Sequence, residues 1–89
     1  MSENKMKSIH GEEYNILIER LRSVRKSLNI TQVELSIRLG SDQSYISKYE
    51  RCERRLDLIE VRSICLVLGI TLQDFIKDFE KTLESRGFS

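Results

Sequence analysis

The chain's length, composition and charge leave room for one small domain and exclude several classes of protein. Its 89 residues carry a formal net charge of +1, although 33% of them are charged. This balance argues against a histone-like protein that binds nucleic acid through charge alone. No apolar run approaches the roughly 20 residues of a membrane span. No apolar segment follows Lys5 and Lys7, so a secretory signal is not expected, and the sequence predicts a cytoplasmic protein.

The residues that usually build metal sites and active sites are too scattered here to do so. Cys52 and Cys65 lack the spacing of metal ligands, and the single histidine, His10, lies in a polar segment. The chain has no Ser-His-acid set and no glycine-rich loop that could cradle a phosphate. We therefore expect no metal, no cofactor and no enzymatic activity, with Cys65 packed in the core as a small apolar residue.

Hydrophobic periodicity separates a polar arm from a first helix. Residues 1–12 are polar and lack periodicity, so they are interpreted as a flexible N-terminal arm. A first helix is expected from about Glu13 to Leu28. Its apolar residues recur at the spacing of one helical face: Tyr14, Leu17, Ile18, Leu21, Val24 and Leu28.

Two short helices joined by a tight turn are predicted next. Thr31 and Glu34 have the spacing of a capping box, in which each side chain binds the other residue's backbone amide. Gly40 suits the left-handed position that ends a helix, and Ser41 or Asp42 can cap the helix that follows. The two helices are expected at about Gln32–Leu39 and Gln43–Arg51.

Two further helices and a short tail complete the chain. Asp57 is expected to cap the fourth helix in a second box with Glu60, and Thr71 starts the fifth. The apolar stripe of the fifth helix consists of Leu72, Phe75, Ile76, Phe79 and Leu83. Residues 84–89 are interpreted as a loose tail. Because no segment alternates like a strand, the sequence predicts an all-α fold of five helices, with one domain over residues 13–83.

The segment TQVELSIRLGSDQSYISKYE, residues 31–50, resembles the helix-turn-helix of the phage repressor and Cro type, known as the Xre family. The resemblance covers about residues 14–79, and the matching residues are Thr31, Gln32, Leu35, Leu39, Gly40, the run Ile46–Glu50, the run Glu53–Asp57 and the sequence Leu68-Gly69-Ile70. It implies a lambda-repressor-like domain in which helices two and three form the motif, and in which helix three, the recognition helix, reads duplex DNA. Cys52 departs from the pattern, because the family usually has Gly there. A non-Gly residue in a left-handed conformation costs about 1 kcal/mol, so the loop is expected to be reshaped.

One face of the third helix carries the side chains expected to read bases. Gln pairs bidentately with adenine, Lys donates to guanine, and Ser serves either base. Base contacts are expected from at least two of the residues Gln43, Ser44, Ser47 and Lys48. The alternative is an ordinary solvated polar face.

A second set of residues is expected to contact the DNA backbone. Residues 14–55 carry nine Arg and Lys against five Asp and Glu, so the basic excess coincides with the motif. By resemblance, Gln32 contacts a phosphate and the loop after the recognition helix runs beside the backbone. The expected phosphate contacts are Gln32, Arg38, Tyr45, Arg51, Arg54 and Arg55. The alternatives are surface salt bridges of the loop arginines with Glu53 or Asp57, and packing of the Tyr45 ring against the end of helix one.

Arg25 and Glu50 are expected to hold the domain together rather than to contact DNA. Arg25 falls within the apolar stripe of helix one, beside Leu21 and Leu28. In related repressors, an Arg and a Glu at these positions pair with each other. The resemblance therefore implies a partly buried structural ion pair, and loss of one partner would leave a charge without compensation.

Apolar residues near the end of the chain are expected to form a dimer interface. A domain of this size has few inward positions for all of them, and an exposed apolar patch usually marks an interface. The predicted interface residues are Leu66, Val67, Ile70, Phe75, Ile76 and Phe79. The alternative is that those of helix five close the monomer core. A two-fold dimer would bind an inverted repeat whose half-sites lie one turn, roughly 34 Å, apart.

The sequence is therefore interpreted as a duplex-DNA-binding transcriptional regulator that acts as a homodimer on an inverted-repeat operator. Within the family it resembles restriction–modification controller proteins, small phage repressors and some antitoxins, and the controller type is favoured. The rival hypothesis is a protein-interaction module that binds a toxin or an anti-repressor through the apolar faces of helices four and five.

Overall fold

Five α-helices follow one another in residues 9–88, the part of the chain that the computed structural model describes. A π-helical turn, Ile9–Glu13, begins inside the predicted arm and leads into the first of them. The helices are α1 (Tyr14–Ser27), α2 (Gln32–Leu39), α3 (Gln43–Glu50), α4 (Leu58–Leu68) and α5 (Leu72–Ser85). Because residues 9–88 contain no strand, the predicted all-α, five-helix fold is confirmed. Residues 1–8 of the predicted arm and Ser89 of the predicted tail lie outside the described residues.

Side-chain caps begin α2 and α4. At α4, Asp57 and Glu60 form a complete capping box, in which each carboxylate accepts the other residue's amide, at 2.8 and 2.9 Å. At α2, the Thr31 hydroxyl accepts the Glu34 amide at 3.1 Å. The Glu34 carboxylate binds the Arg38 guanidinium at 2.8 Å instead of reaching back. Only half of the box predicted at Thr31 therefore forms, because the arginine one turn later offers the carboxylate an opposite charge.

Gly40 and Cys52 end the two helices of the motif in the same left-handed conformation. Their φ angles are +69° and +60°. After α3, the Cys52 amide donates to the Tyr49 carbonyl at 2.9 Å and the Glu53 amide to the Lys48 carbonyl at 2.8 Å. The same pair of bonds closes α2 at Gly40. Cys52 therefore takes the conformation that suits Gly, and the expectation that the loop is reshaped is wrong.

The core lies where α1, α4 and α5 pack against each other and against the motif formed by α2 and α3. Its buried apolar residues are Tyr14, Ile18, Leu21, Ile30, Leu35, Ile46, Tyr49, Leu56, Val61, Ile64, Cys65, Leu68 and Phe75. Ile46 and Tyr49 anchor α3 by one edge, so the opposite edge faces outward. Cys65 lies in the core as predicted, and burial raises the pKa of its thiol to about 11.

Phe75 belongs to this core and not to the surface. It is 1% exposed, and its ring stacks on that of Phe79 with 6.5 Å between the ring centres. Val67, Ile70 and Ile76 are half-buried and pack against the same cluster. The prediction that Phe75 forms part of a dimer interface is therefore wrong, because the monomer already removes its ring from water.

The C-terminal helix extends further than the sequence predicts. It continues to Ser85, inside the segment interpreted as loose. Arg86, one residue later, contacts Glu19 of α1 at 2.6 Å. Arg20 and Asp78 join the same two helices through two hydrogen bonds, at 2.8 and 3.2 Å. These ion pairs attach the end of α5 to α1.

Candidate nucleic-acid interface

α3 presents the predicted base-reading side chains on the edge away from the core. Gln43, Ser44 and Lys48 are exposed, and Ser47 is half-buried. Since a helix advances about 100° per residue, these four share one side, and the buried Ile46 lies on the other. This edge combines amide, hydroxyl and ammonium groups, which are the donors and acceptors that base edges require.

A chain of hydrogen bonds connects the start of α3 with its end through α2 and α1. Gln43 Nε2 donates to Gln32 Oε1 at 3.4 Å, and Gln32 Nε2 donates to Glu50 Oε1 at 2.9 Å. Glu50 also accepts two bonds from Arg25, at 2.7 and 3.0 Å. These hydrogen bonds therefore orient the side chains of Gln43 and Gln32 relative to the buried carboxylate of Glu50.

The Arg25–Glu50 pair in this chain is buried. The two side chains are 8% and 3% exposed. Arg25 Nη1 donates further to the Ile30 carbonyl at 2.7 Å, so three guanidinium nitrogens have partners, as a buried charge requires. The pair joins α1 to the end of α3 and lies off the exposed polar edge.

Arg51, the first arginine of the loop after α3, pairs with Glu53. Two hydrogen bonds of 3.1 and 3.0 Å join the two side chains, and Arg51 also contacts the Ser47 hydroxyl. The pairing raises the pKa of Arg51 and lowers the pKa of Glu53. This is the surface salt bridge that stood as the alternative to phosphate contact. Since both side chains remain exposed, it leaves the arginine accessible.

Arg54 lies over the ring of Tyr45, and both side chains contact Glu60. Arg54 Cζ is 4.9 Å from the ring centre, and its Nη2 is 3.1 Å from Glu60 Oε2. The Tyr45 hydroxyl donates to the same carboxylate oxygen at 2.9 Å. Burial and this carboxylate raise the pKa of Tyr45 to about 12. The ring packs edge-on against Tyr49, with 5.6 Å between the two ring centres.

Tyr14, at the start of α1, supports the same loop. Its hydroxyl accepts the Leu56 amide at 3.0 Å and donates to the Arg54 carbonyl at 3.2 Å. The Arg55 guanidinium lies 4.4 Å from its ring centre, and burial raises the pKa of Tyr14. The sequence predicts Tyr14 only as a residue of the apolar stripe of the first helix. The sequence signal for its support of the loop is the residue type itself, because a buried tyrosine hydroxyl usually finds a hydrogen-bond partner.

Arg38 faces α4 instead of the exposed polar edge of α3. Its guanidinium donates to the Val67 carbonyl at 3.0 Å and to the Glu34 carboxylate at 2.8 Å. These contacts connect α2 with α4. A phosphate contact by Arg38 therefore has little support from its geometry.

α4 exposes three large apolar side chains. Leu58, Ile59 and Leu66 are 61%, 69% and 53% exposed. Ile59 and Leu66 lie two turns apart on one edge of the helix. Leu66 was predicted to be in a dimer interface, whereas the other two were missed. By spacing, Ile59 lies outside the apolar stripe of this helix, which is its signal in the sequence. Leu58 belongs to the stripe by spacing but is exposed at the first position of α4.

The described residues contain neither a metal cluster nor a membrane helix. Across residues 9–88, no group of three or more His, Cys, Asp or Glu side chains could hold a metal ion. None of the helices in this range combines the length and the apolar character needed to cross a membrane. Both cysteines are free thiols, Cys52 exposed and Cys65 buried.

Comparison with known proteins assigns the chain to a family. The model of a family described as Helix-turn-helix matches residues 21–75. The control protein C.MunI from Mycoplasma sp is 30% identical over 63 residues, which cover 70% of this chain and 85% of that protein. The solved structure of an XRE-family like protein from Pseudomonas syringae pv. tomato str. DC3000 is 39% identical with a TM-score of 0.81, and the match covers 89% of this chain and 96% of that one. The chain therefore belongs to the XRE-type helix-turn-helix family of DNA-binding, non-enzymatic transcriptional regulators.

Proposed function

We propose that the chain is a homodimer that places α3 in the major groove of an inverted-repeat operator. The observation that carries this proposal is the exposed polar edge of α3, opposite a buried apolar edge. A helix anchored in this way enters the groove as a rigid unit. On the exposed edge, Gln43 suits adenine, Lys48 suits guanine, and Ser44 and Ser47 suit either base.

Phosphate contacts supply much of the affinity in this proposal. Gln32 lies at the N-terminus of α2, where backbone amides favour an anion. Arg51, Arg54 and Arg55 follow α3 on an exposed loop. Arginine suits phosphate because its planar fork donates two parallel bonds. Tyr45 joins this set through its contact with Arg54.

The second copy is proposed to pack against the exposed edge of α4. Ile59 and Leu66 form the centre of this surface, and the half-buried Ile70, Ile76 and Phe79 are candidates for its margin. A two-fold axis through the edge buries the apolar side chains of one copy against the same side chains of the other. It also presents two copies of α3 to one side of the DNA, at a separation of about one turn, roughly 34 Å.

The regulated genes are proposed to be those of a restriction–modification system. The support is the similarity to a protein named as a control protein, of which this chain covers 85%. Regulation then acts through the concentration of the protein and the occupancy of overlapping sites.

Selection of binding sites from random duplex DNA tests this function. We expect an inverted repeat with half-sites one helical turn apart. A variant that carries both Gln43→Ala and Lys48→Ala is the matched control and should lose the consensus. A consensus without two-fold symmetry would contradict the dimer, and the lack of any consensus would contradict sequence-specific binding.

A protein-interaction module is the second candidate function. The exposed Leu58, Ile59 and Leu66 favour it, because such side chains also suit a partner protein. Pull-down from cell lysate with and without nuclease distinguishes the two functions. A protein partner that remains after nuclease treatment, together with failure of the DNA selection, would favour the module.

A further inference from the structure

The carboxylate of Glu60 joins three elements at the edge of the proposed DNA-binding surface. Its Oε1 accepts the Asp57 amide at 2.9 Å and so completes the cap of α4. Its Oε2 accepts the Tyr45 hydroxyl of α3 at 2.9 Å and lies 3.1 Å from Nη2 of Arg54 in the loop. A residue expected only as a helix cap therefore connects the recognition helix, the basic loop and α4.

Glu60 restrains the Arg54 guanidinium without occupying all of its donors. The guanidinium has five N–H groups. One nitrogen contacts Glu60 and another donates to the Arg55 carbonyl at 3.3 Å. The side chain is 45% exposed, and its Cζ lies over the Tyr45 ring. Donors therefore remain for a phosphate oxygen while the side chain is already held in one orientation.

We propose that Glu60 is a positioning residue for DNA binding, which holds Arg54 against Tyr45 in the orientation that accepts a backbone phosphate. This inference rests on the proposed phosphate contact of Arg54. Two effects of Glu60 oppose each other. Its negative charge repels DNA, whereas its restraint on Arg54 lowers the entropy cost of forming the phosphate contact. The proposal is that the restraint has the larger effect on affinity.

Glu60→Gln removes the charge but keeps the helix cap. Gln is as suitable as Glu at the third position of a capping box, so the Asp57 amide retains an acceptor. The matched control is Glu19→Gln, which makes the same charge change and also breaks an ion pair with an arginine, Arg86. Charge alone predicts that both variants bind DNA more tightly than the wild type.

Affinities for the selected operator, measured by fluorescence anisotropy at one salt concentration, test the proposal. We expect Glu60→Gln to weaken binding by about threefold to tenfold, the effect of one immobilised side chain. Glu19→Gln should not weaken it. In an Arg54→Ala background, Glu60→Gln should have no further weakening effect, which a general loss of folding would not reproduce. Tyr45→Leu, which removes the ring beneath Arg54, should show the same dependence on Arg54.

Four results would overturn the proposal. Tighter binding by Glu60→Gln would show that its charge dominates. Equal weakening in the wild-type and Arg54→Ala backgrounds would show that Glu60 does not act through Arg54. If Arg54→Ala binds like the wild type, the proposed phosphate contact of Arg54 fails as well. If Arg54→Ala weakens binding while Glu60→Gln does not, only the role of Glu60 fails.

Discussion

At the scale of single residues, Arg25 and Glu50 bring opposite charges into a part of the domain that excludes water. Replacement of Arg25 leaves the buried Glu50 charge with only the Gln32 hydrogen bond and, at 3.9 Å, the more exposed Arg22. We expect Arg25→Ala to lower the free energy of unfolding by about 3–5 kcal/mol, as measured by urea denaturation. The control is Arg20→Ala, which breaks the more exposed pair with Asp78 and should cost about 0–1 kcal/mol. Equal losses of unfolding free energy in Arg25→Ala and Arg20→Ala would contradict the explanation that burial of the pair sets the cost.

Cys52 holds the backbone conformation that glycine adopts most readily. Its φ of +60° places Cβ close to the following carbonyl oxygen. We expect Cys52→Gly to raise the free energy of unfolding by about 0.5–1 kcal/mol, since relief of this strain exceeds the entropy cost of a glycine. Thermal or urea denaturation measures the change. Cys52→Ala keeps the Cβ and should give no such gain, so a similar gain in both variants would contradict the explanation from strain.

The buried Cys65 thiol should make stability depend on alkaline pH. Burial raises its pKa from the ordinary 9.0 to about 11. The folded state therefore holds this proton more tightly than the unfolded state does. The resulting stability is fully present below pH 9 and is lost as the pH rises to 11. We expect the Tm to fall over this range and to fall less steeply in Cys65→Ala. Cys52→Ala, which removes the exposed thiol, should change the slope less, and an unchanged slope in Cys65→Ala would contradict the assignment.

At the scale of elements, α3 and the loop behind it are expected to make different kinds of contact with DNA. Gln43→Ala and Lys48→Ala should each weaken binding to the operator by about 1–3 kcal/mol and binding to random DNA by less. The reason is that base contacts depend on sequence. Titration of both DNAs with each variant measures the difference, and equal losses on the two DNAs would remove these residues from base reading.

Replacement of Arg55 is expected to weaken binding to every DNA sequence, because phosphates carry no sequence information. Arg55→Ala should also reduce the slope of log affinity against log salt concentration by about 0.9. Titrations at several salt concentrations measure the slope. The Lys48→Ala variant is the comparison on the same DNA, because its base contact leaves the slope less affected. An unchanged slope in Arg55→Ala would leave this arginine as a surface charge that stacks on Tyr14.

The starts of α2 and α4 and the end of α2 could be predicted because they depend on residues only a few positions apart. Asp57 and Glu60, which are three positions apart, form the cap of α4, and Gly40 ends α2 in the left-handed conformation. The exception at Glu34 is also local, because Arg38 competes for the same carboxylate. A capping motif in the sequence therefore indicates a helix start more reliably than it indicates every bond of the cap.

At the scale of the whole molecule, the exposed edge of α4 is expected to hold two copies together. Leu66→Asp should give a folded monomer, because an exposed side chain is replaced and the core is untouched. Sedimentation at tens of micromolar, with circular dichroism as the check on folding, measures this. Ile37→Asp, which replaces a still more exposed apolar residue on α2, should leave the dimer intact. A wild-type protein that sediments as a monomer would contradict the interface.

The helices, the motif and the outward edge of α3 could be predicted from the sequence. These features follow from periodicity and from backbone caps, which act within one or two turns. The edge that carries Gln43 and Lys48 could be recognised because Ile46 and Tyr49 occupy the other side of the same helix.

The packing of the helices determines which apolar residues are buried and which polar groups contact each other, and local sequence patterns do not reveal it. Phe75 and Leu66 are equally apolar in the sequence, but packing of α5 on α1 and α4 encloses the first and leaves the second exposed. The Tyr45 hydroxyl reaches Glu60 across 15 positions, and that of Tyr14 reaches the Arg54 carbonyl across 40. No local pattern encodes such contacts, because they arise only when separate helices have packed and brought distant positions together.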